Sequence, residues 1–164
     1  VVVLDFWATW PDDCNFPVMR DLHKEFGEKG LAIVGVTASA KVCYENRYDF
    51  DADMLSKARP GRKFYAARLA SEMDPANEGQ AIFEDAQYRE REIAAIEAFI
   101  GNHELKWPNV MIEKEEPFAK YAVEGWPSLV VIDKQGRLRY VRSGELRRGS
   151  AAPFKKIIAE LLSE

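Results

Sequence analysis

The sequence contains few of the residues that hold metals or cross-link small folds. Its 164 residues include two cysteines, Cys14 and Cys43, and two histidines, His23 and His103. These four residues do not follow a zinc-ligand spacing, and two cysteines are too few for a disulfide-stapled scaffold. We therefore expect no metal site and no bound cofactor.

Long apolar runs and an excess of positive charge are also missing. No stretch approaches the roughly 18 apolar residues that a membrane span requires. The chain has 23 Lys and Arg against 27 Asp and Glu, a net charge of −4, and no basic stripe with interleaved aromatics. These absences exclude a membrane span over this stretch and argue against nucleic acid as a partner.

What is present is enough apolar material for one globular domain over residues 1–164. The composition is 47% hydrophobic and 30% charged, which is typical of a chain with a packed core. The sequence opens directly on a buried-strand pattern, with no initiator Met and no leader before it. We interpret it as an N-terminally truncated fragment.

The first 37 residues predict a β-α-β unit. Val1 to Phe6 reads as a buried strand, and Val18, Leu22 and Phe26 recur at helical spacing. Leu31 to Thr37 reads as a second strand, which should lie parallel to the first. The C-terminal ends of both strands then lie at the same edge of a sheet.

The rest of the chain predicts helices and an antiparallel hairpin. Residues 41–81 are punctuated by Pro and Gly and are interpreted as a mostly helical insertion. The fold class is therefore α/β, with a mixed central sheet flanked by helices. The further predicted elements are a helix over 82–100 stopped by Gly101, a strand over 109–112, one or two helical turns over 116–123, a hairpin over 128–133 and 138–142, and a helix over 153–162.

Two segments resemble the signatures of one family. Val3 to Trp10 (VLDFWATW) is similar to a strand and active-site lead-in that Cys-x-x-Cys normally follows, and Tyr121 to Ser128 (YAVEGWPS) is similar to a loop with a cis-proline that faces the cysteines. Both resemble the TlpA/ResA-like branch of the thioredoxin-like thiol-disulfide oxidoreductases. The resemblance implies a thioredoxin-like fold, protein or peptide thiols and disulfides as partners, and an extracytoplasmic location.

The sequence departs from this family at its active-site motif. It reads Pro11, Asp12, Asp13, Cys14, so proline stands where the family keeps its attacking cysteine. A thiolate must attack the substrate disulfide before a second cysteine can resolve the mixed disulfide. Proline is well tolerated in a first helical turn. We expect the fold to be kept and conventional dithiol exchange to be impaired, and whether the chain is an enzyme stays open.

Cys14 leaves three functions open. We expect it within the first turn of the helix, where the dipole favours a thiolate while Asp12 and Asp13 oppose one. It could act in residual thiol chemistry, or be a small buried residue in a binding module that uses the cis-proline groove. A third alternative is a peroxidase with Cys14 as its single attacking cysteine, which a resemblance to the peroxiredoxins would imply. Pro11 and Trp7, however, stand where that family has Thr and Pro.

Cys43 follows the second strand by six residues, on the side where the first helix begins. Parallel pairing of the strands would bring it towards Cys14. We hypothesise a redox pair or a structural disulfide between them, the alternative being a free thiol in a loop.

The aromatic residues of both motifs have two interpretations each. Trp126 precedes Pro127, where it would partly fill the substrate groove that the resemblance implies, or the cis turn simply shapes the entrance to the hairpin. Trp7 and Trp10 either form an exposed apolar rim for a partner or pack under the active-site loop.

Overall fold

The computed structural model describes residues 1–9, 15–39, 86–114 and 116–164. The predicted insertion over 41–81 lies outside these ranges. Within them the elements are β1 (Val2–Phe6), α1 (Phe16–Phe26), β2 (Ala32–Ala38), α2 (Ala86–Asn102), β3 (Asn109–Ile112), α3 (Glu116–Lys120), β4 (Ser128–Ile132), β5 (Leu138–Ser143) and α4 (Ala152–Ser163), with short 3-10 turns at Gly27–Lys29 and Arg148–Ser150.

The described strands form one mixed sheet in the order β3-β2-β1-β4-β5. β1 and β2 are parallel, as are β2 and β3, whereas β4 is antiparallel to both β1 and β5. Residues from α1, α2 and α4 pack on one face, and Phe118 of α3 packs on the other. The predicted α/β class with a mixed, helix-flanked sheet is confirmed.

β1 is the central strand and is buried on both faces. Val3 faces the cluster under α1 and α4, and Phe6 faces the cluster under α3. This explains why the strand is apolar without alternation, since neither face meets water. Asp5 lies in the same strand and is also fully buried.

Helix α1 has the predicted apolar stripe but starts later than expected. Val18, Leu22 and Phe26 are buried on one side of the helix. Asn15 is the N-cap residue and Pro17 lies in the first turn, so the helix begins at Phe16, and the prediction that places Cys14 in its first turn concerns a residue outside the described ranges. Pro17 gives the reason for this start, because proline lacks an N–H and clashes with the turn before it deeper in a helix.

Helix α2 continues past the glycine that was expected to stop it. Gly101 lies inside the helix, which ends at Asn102, and Glu104 has the left-handed conformation with φ of 52°. The His103 ring packs on Phe99 at 4.2 Å between centroids, and Leu105 N–H donates to the Ile100 carbonyl. Tertiary packing thus outweighs the local preference of glycine for a helix end.

The C-terminal hairpin and helix have the predicted positions. Gly136 has φ of 77° in the turn between β4 and β5, a conformation that favours glycine. Phe154, Ile158 and Leu161 of α4 are buried, as the amphipathic spacing predicts. None of the helices in the described ranges is both long enough and apolar enough to cross a membrane.

Candidate functional site

The structure brings the cis-proline loop to the end of β1. Phe6, the last residue of β1, lies opposite Ser128 in the antiparallel register with β4. Pro127 immediately precedes Ser128, and the peptide bond between Trp126 and Pro127 is cis. α1 begins at the same edge of the sheet, since its N-cap residue Asn15 bonds to Asp5 of β1. The two sequence motifs therefore meet in space.

Most of the predicted motif lies outside the described residues. This applies to Trp10, Pro11, Asp12, Asp13 and Cys14, which connect Thr9 to Asn15, and also to Cys43. The pairing of Cys14 with Cys43 accordingly stays a hypothesis. The described residues that frame this segment are those at the end of β1, at the start of α1 and in the cis-proline loop.

Trp7 belongs to the core and not to an exposed rim. It is 0% exposed, its ring stacks on Phe99 at 5.2 Å between centroids, and it meets Phe16 edge-on at 5.8 Å. Its indole Nε1 donates to Asn109 Oδ1 at 3.1 Å. Of the two interpretations of Trp7, the packing one is right, because the aromatic side chains of α1 and α2 cover the ring.

The cis-proline loop is fixed by hydrogen bonds. The Pro127 carbonyl accepts a hydrogen bond from Gly144 N–H at 2.8 Å, and Ser128 Oγ donates to the Gly125 carbonyl at 2.7 Å. Trp126 is half-buried and meets the Phe118 ring edge-on at 5.1 Å. Trp126 thus remains partly accessible beside a loop that is held in one shape, although its indole Nε1 is buried.

Asp5 is a buried ionisable group directly beneath this edge. It is 0% exposed, and its Oδ1 accepts a hydrogen bond from Asn15 Nδ2 at 3.2 Å. Burial raises the pKa of Asp5 to about 7, against the lowering effect of the Asn15 hydrogen bond. No described residue donates to its Oδ2. Near neutral pH this carboxyl can therefore take up or release a proton.

Sequence reasoning did not select Asp5 or Asn15 as site residues. A signal for Asp5 exists, since it is the one charged residue in the run from Val1 to Phe6, and a buried carboxyl is rarely placed in a strand without a role. Asn15 carries no such signal, because asparagine is an ordinary residue at a helix start. Its partner Leu146 is 131 residues away.

Within the described ranges, no group of three or more His, Cys, Asp or Glu side chains could hold a metal ion. The chemistry that the described side chains can support is proton exchange at Asp5. Thiol chemistry would depend on Cys14, which lies outside those ranges.

Two curated proteins are similar to the chain in sequence. Thiol-disulfide oxidoreductase ResA of Oceanobacillus iheyensis is 53% identical over 38 residues, which cover 22% of this chain and 20% of that protein. Thioredoxin-like protein YneN of Bacillus subtilis is 23% identical over 149 residues, covering 90% of this chain and 58% of that protein. The chain thus spans less than two thirds of either relative. No family model matches it.

A solved structure of a thiol-disulfide isomerase from Corynebacterium glutamicum has a similar fold. It is 18% identical, covers 99% of this chain and 80% of its own, and has a TM-score of 0.59. At that identity the similarity concerns the fold alone, which is thioredoxin-like.

Proposed function

We propose that this chain, which belongs to the thioredoxin-like family of thiol-disulfide oxidoreductases, acts on protein or peptide thiols and disulfides with impaired conventional dithiol exchange. The observation that carries the proposal is the cis-Pro127 loop beside the end of β1. The two motifs of the resemblance meet there, while the sequence has Pro11 in place of the attacking cysteine.

The remaining thiol supports a single-cysteine cycle. The Cys14 thiolate attacks one sulfur of a substrate disulfide, forming a mixed disulfide and releasing the other sulfur as a thiolate. A second thiol, either Cys43 or an external protein or small-molecule thiol, then attacks the mixed disulfide. The attack falls on the Cys14 sulfur, so the substrate leaves as its second thiolate, fully reduced, and Cys14 is left in a disulfide with the attacking thiol. Further external thiol, one equivalent when the attacking thiol is itself external and two when it is Cys43, then reduces this disulfide. The Cys14 thiolate is returned, and the external thiols leave joined as a disulfide.

Activation of Cys14 is the weak step of this cycle. α1 begins at Phe16, so Cys14 precedes its N-cap residue, and the effect of a helix dipole is largest within the first turn. Asp12 and Asp13 add negative charge next to it in the sequence. The first feature weakens the support of the dipole for a thiolate and the second opposes a thiolate, and together they support slow exchange.

Insulin reduction with dithiothreitol as the external thiol tests this function. Wild type is expected to accelerate the reduction weakly, and Cys14→Ser should abolish that acceleration. The matched variant Cys43→Ser keeps the rate if the resolving thiol is external and lowers it if Cys43 resolves the mixed disulfide. Indistinguishable rates for wild type and Cys14→Ser would contradict thiol catalysis.

A peptide-binding module is the second candidate, and the half-buried Trp126 beside a hydrogen-bonded cis-proline loop favours it. A cysteine-free extended peptide, titrated into Cys14→Ser and followed by Trp fluorescence, distinguishes this function. Saturable binding that Trp126→Ala weakens would support it, and the absence of saturation would contradict it.

The location and the domain organisation are parts of the same proposal. Resemblance to the TlpA/ResA-like branch supports an extracytoplasmic site of action. The single sheet of the described residues supports one thioredoxin-like domain over residues 1–164.

A further inference from the structure

The side chain of Asn15 joins three segments that are distant in sequence. It is 0% exposed. Its Nδ2 donates to Asp5 Oδ1 in β1 at 3.2 Å, and its Oδ1 accepts a hydrogen bond from the N–H of Leu146 at 2.7 Å. A backbone N–H can only donate, so the amide oxygen must face Leu146 and the amide nitrogen must face Asp5. The Asn15 amide is thus oriented by both partners at once.

Asn15 does not use this side chain to cap its own helix. It is the N-cap residue of α1, where an asparagine oxygen ordinarily accepts a hydrogen bond from an N–H of the first turn. No such bond is made here. The amide is committed to tertiary contacts in place of a local one, which indicates a role beyond starting the helix.

The loop after β5 connects Asn15 to the cis-proline. Leu146 N–H binds Asn15, and two residues earlier Gly144 N–H binds the Pro127 carbonyl at 2.8 Å. Arg142 Nη2 donates to the Glu145 carbonyl between them, at 3.0 Å. The short segment 144–146 therefore holds the cis-proline loop at one end and the Asn15 amide at the other.

We propose that Asn15 is a positioning residue that links the charge state of the buried Asp5 carboxyl to segment 144–146, and through this segment to the carbonyl of cis-Pro127. An N–H bonded to a carboxylate makes a shorter and stronger hydrogen bond than one bonded to the neutral acid. Deprotonation of Asp5 therefore draws the amide towards β1, and Leu146 follows because it donates to the same amide. By linkage, a ligand that fixes the cis-proline loop must in turn change the proton affinity of Asp5.

Few charged groups compete for Asp5 on this face. Gly35, its partner on β2, has no side chain, and Leu129, its partner on β4, is apolar. Arg142 is next in register on β5 and donates to the Glu145 carbonyl. The side chain of Glu145 pairs with Arg147. Asp12 and Asp13 lie outside the described residues. On α1 and α4, Arg20 bonds to His103, Asp21 to Arg148 and Lys155 to Glu25. On α2, Glu92 is the buried charged residue, and the shift in the pKa of Asp5 arises from burial and from Asn15.

NMR titration of the whole chain tests this link. The Asp5 carboxyl carbon and the amide nitrogens of Leu146 and Gly144 are followed from pH 5 to 9. In wild type we expect the chemical shifts of both amide nitrogens to inflect at the pH at which the Asp5 carboxyl is half-titrated, the Asp5 midpoint. In Asn15→Ala the Asp5 midpoint should move upwards, because a bond that favours the carboxylate is lost, and the Leu146 inflection should disappear. The exposed Asn102→Ala is the matched control and should retain it.

Two further measurements keep the test decisive. If Asn15→Ala fails to fold, the coupling across the hydrogen bond between the Leu146 nitrogen and Asn15 Cγ is measured in wild type on both sides of the Asp5 midpoint, where it must differ. The titration is repeated in Cys14→Ser, which removes the nearest thiol in sequence. Persistence of the inflection assigns it to Asp5 and separates this link from the thiol function. The proposal is overturned if the Leu146 amide shift shows no inflection in wild type, or if its inflection persists in Asn15→Ala or is lost in Cys14→Ser. A coupling that is the same on both sides of the Asp5 midpoint would also overturn it.

Discussion

Gly35 of β2 packs directly against the side-chain amide of Asn109 of β3, and no β-carbon fits between them. The Asn109 amide accepts a hydrogen bond from Trp7 Nε1 at 3.1 Å and donates to the Trp107 carbonyl at 2.7 Å, so it cannot turn away. A Cβ at Gly35 would also lie 2.7 Å from Trp7 Nε1, closer than real Cβ contacts. The burial of Trp7 near the site depends on this close approach.

Gly35→Ala should therefore destabilise the protein. Forcing a methyl group into a packed interior typically costs about 1–3 kcal/mol, and here it also disturbs the hydrogen bond between Trp7 and Asn109. Gly101→Ala is the matched control, since nothing lies within 4 Å of its Cβ position and it is helical. The free energy of unfolding of that variant should rise by up to about 1 kcal/mol, because alanine is a better helix former than glycine. Urea denaturation measures both, and equal stabilities for the two variants would refute the steric argument.

Asp5→Asn should stabilise the protein increasingly as the pH rises. The folded-state pKa of Asp5 is raised to about 7 from 3.8. The stability that protonated Asp5 contributes to the folded state is therefore fully present below the unfolded pKa, and it is lost as the pH rises through 7. The amide of the variant never ionises. Between pH 4 and pH 8, the free energy of unfolding of Asp5→Asn should therefore rise relative to that of wild type by up to about 4 kcal/mol. The free energy of unfolding, measured by urea at both values, gives the change. An advantage that does not vary with pH would contradict the assignment.

Asp133→Asn should show the opposite dependence on pH. Burial alone would raise the pKa of Asp133, but hydrogen bonds from Arg137, Arg139 and Gln135 outweigh it and hold this pKa well below its usual range. The stability that these bonds contribute is present above the unfolded pKa and is lost as the pH falls below it. At pH 7 the urea midpoint of the variant should be lower than that of wild type, and the gap should narrow below about pH 4. A gap that is the same at pH 3 and pH 7 would refute this account.

Pro11→Cys should restore dithiol exchange. The change supplies the attacking sulfur before Cys14, so insulin reduction should rise by at least about tenfold over wild type. Pro11→Ser is the matched control, since it removes the proline without adding a thiol, and its rate should stay near that of wild type. A Pro11→Cys rate no higher than that of Pro11→Ser would mean that the rest of the site is not competent for exchange.

The sequence alone was sufficient to predict those elements whose signal lies in neighbouring residues. The apolar run at Val1 to Phe6 predicted β1, and the spacing of Val18, Leu22 and Phe26 predicted the buried side of α1. Hydrophobic period depends only on neighbours a few residues away, so these elements and the α/β class follow from the chain itself. The lead-in after β1 and the segment around Pro127 likewise indicated the family.

Only the tertiary structure decided how these elements act on one another. It placed Trp7 in the core, kept Gly101 inside a helix, and joined Asp5 through Asn15 to Leu146, which lies 131 residues beyond Asn15. The proton affinity of Asp5 is set by this burial and by this partner. Burial and hydrogen bonding depend on which distant segments meet in space, and a linear pattern does not contain that information.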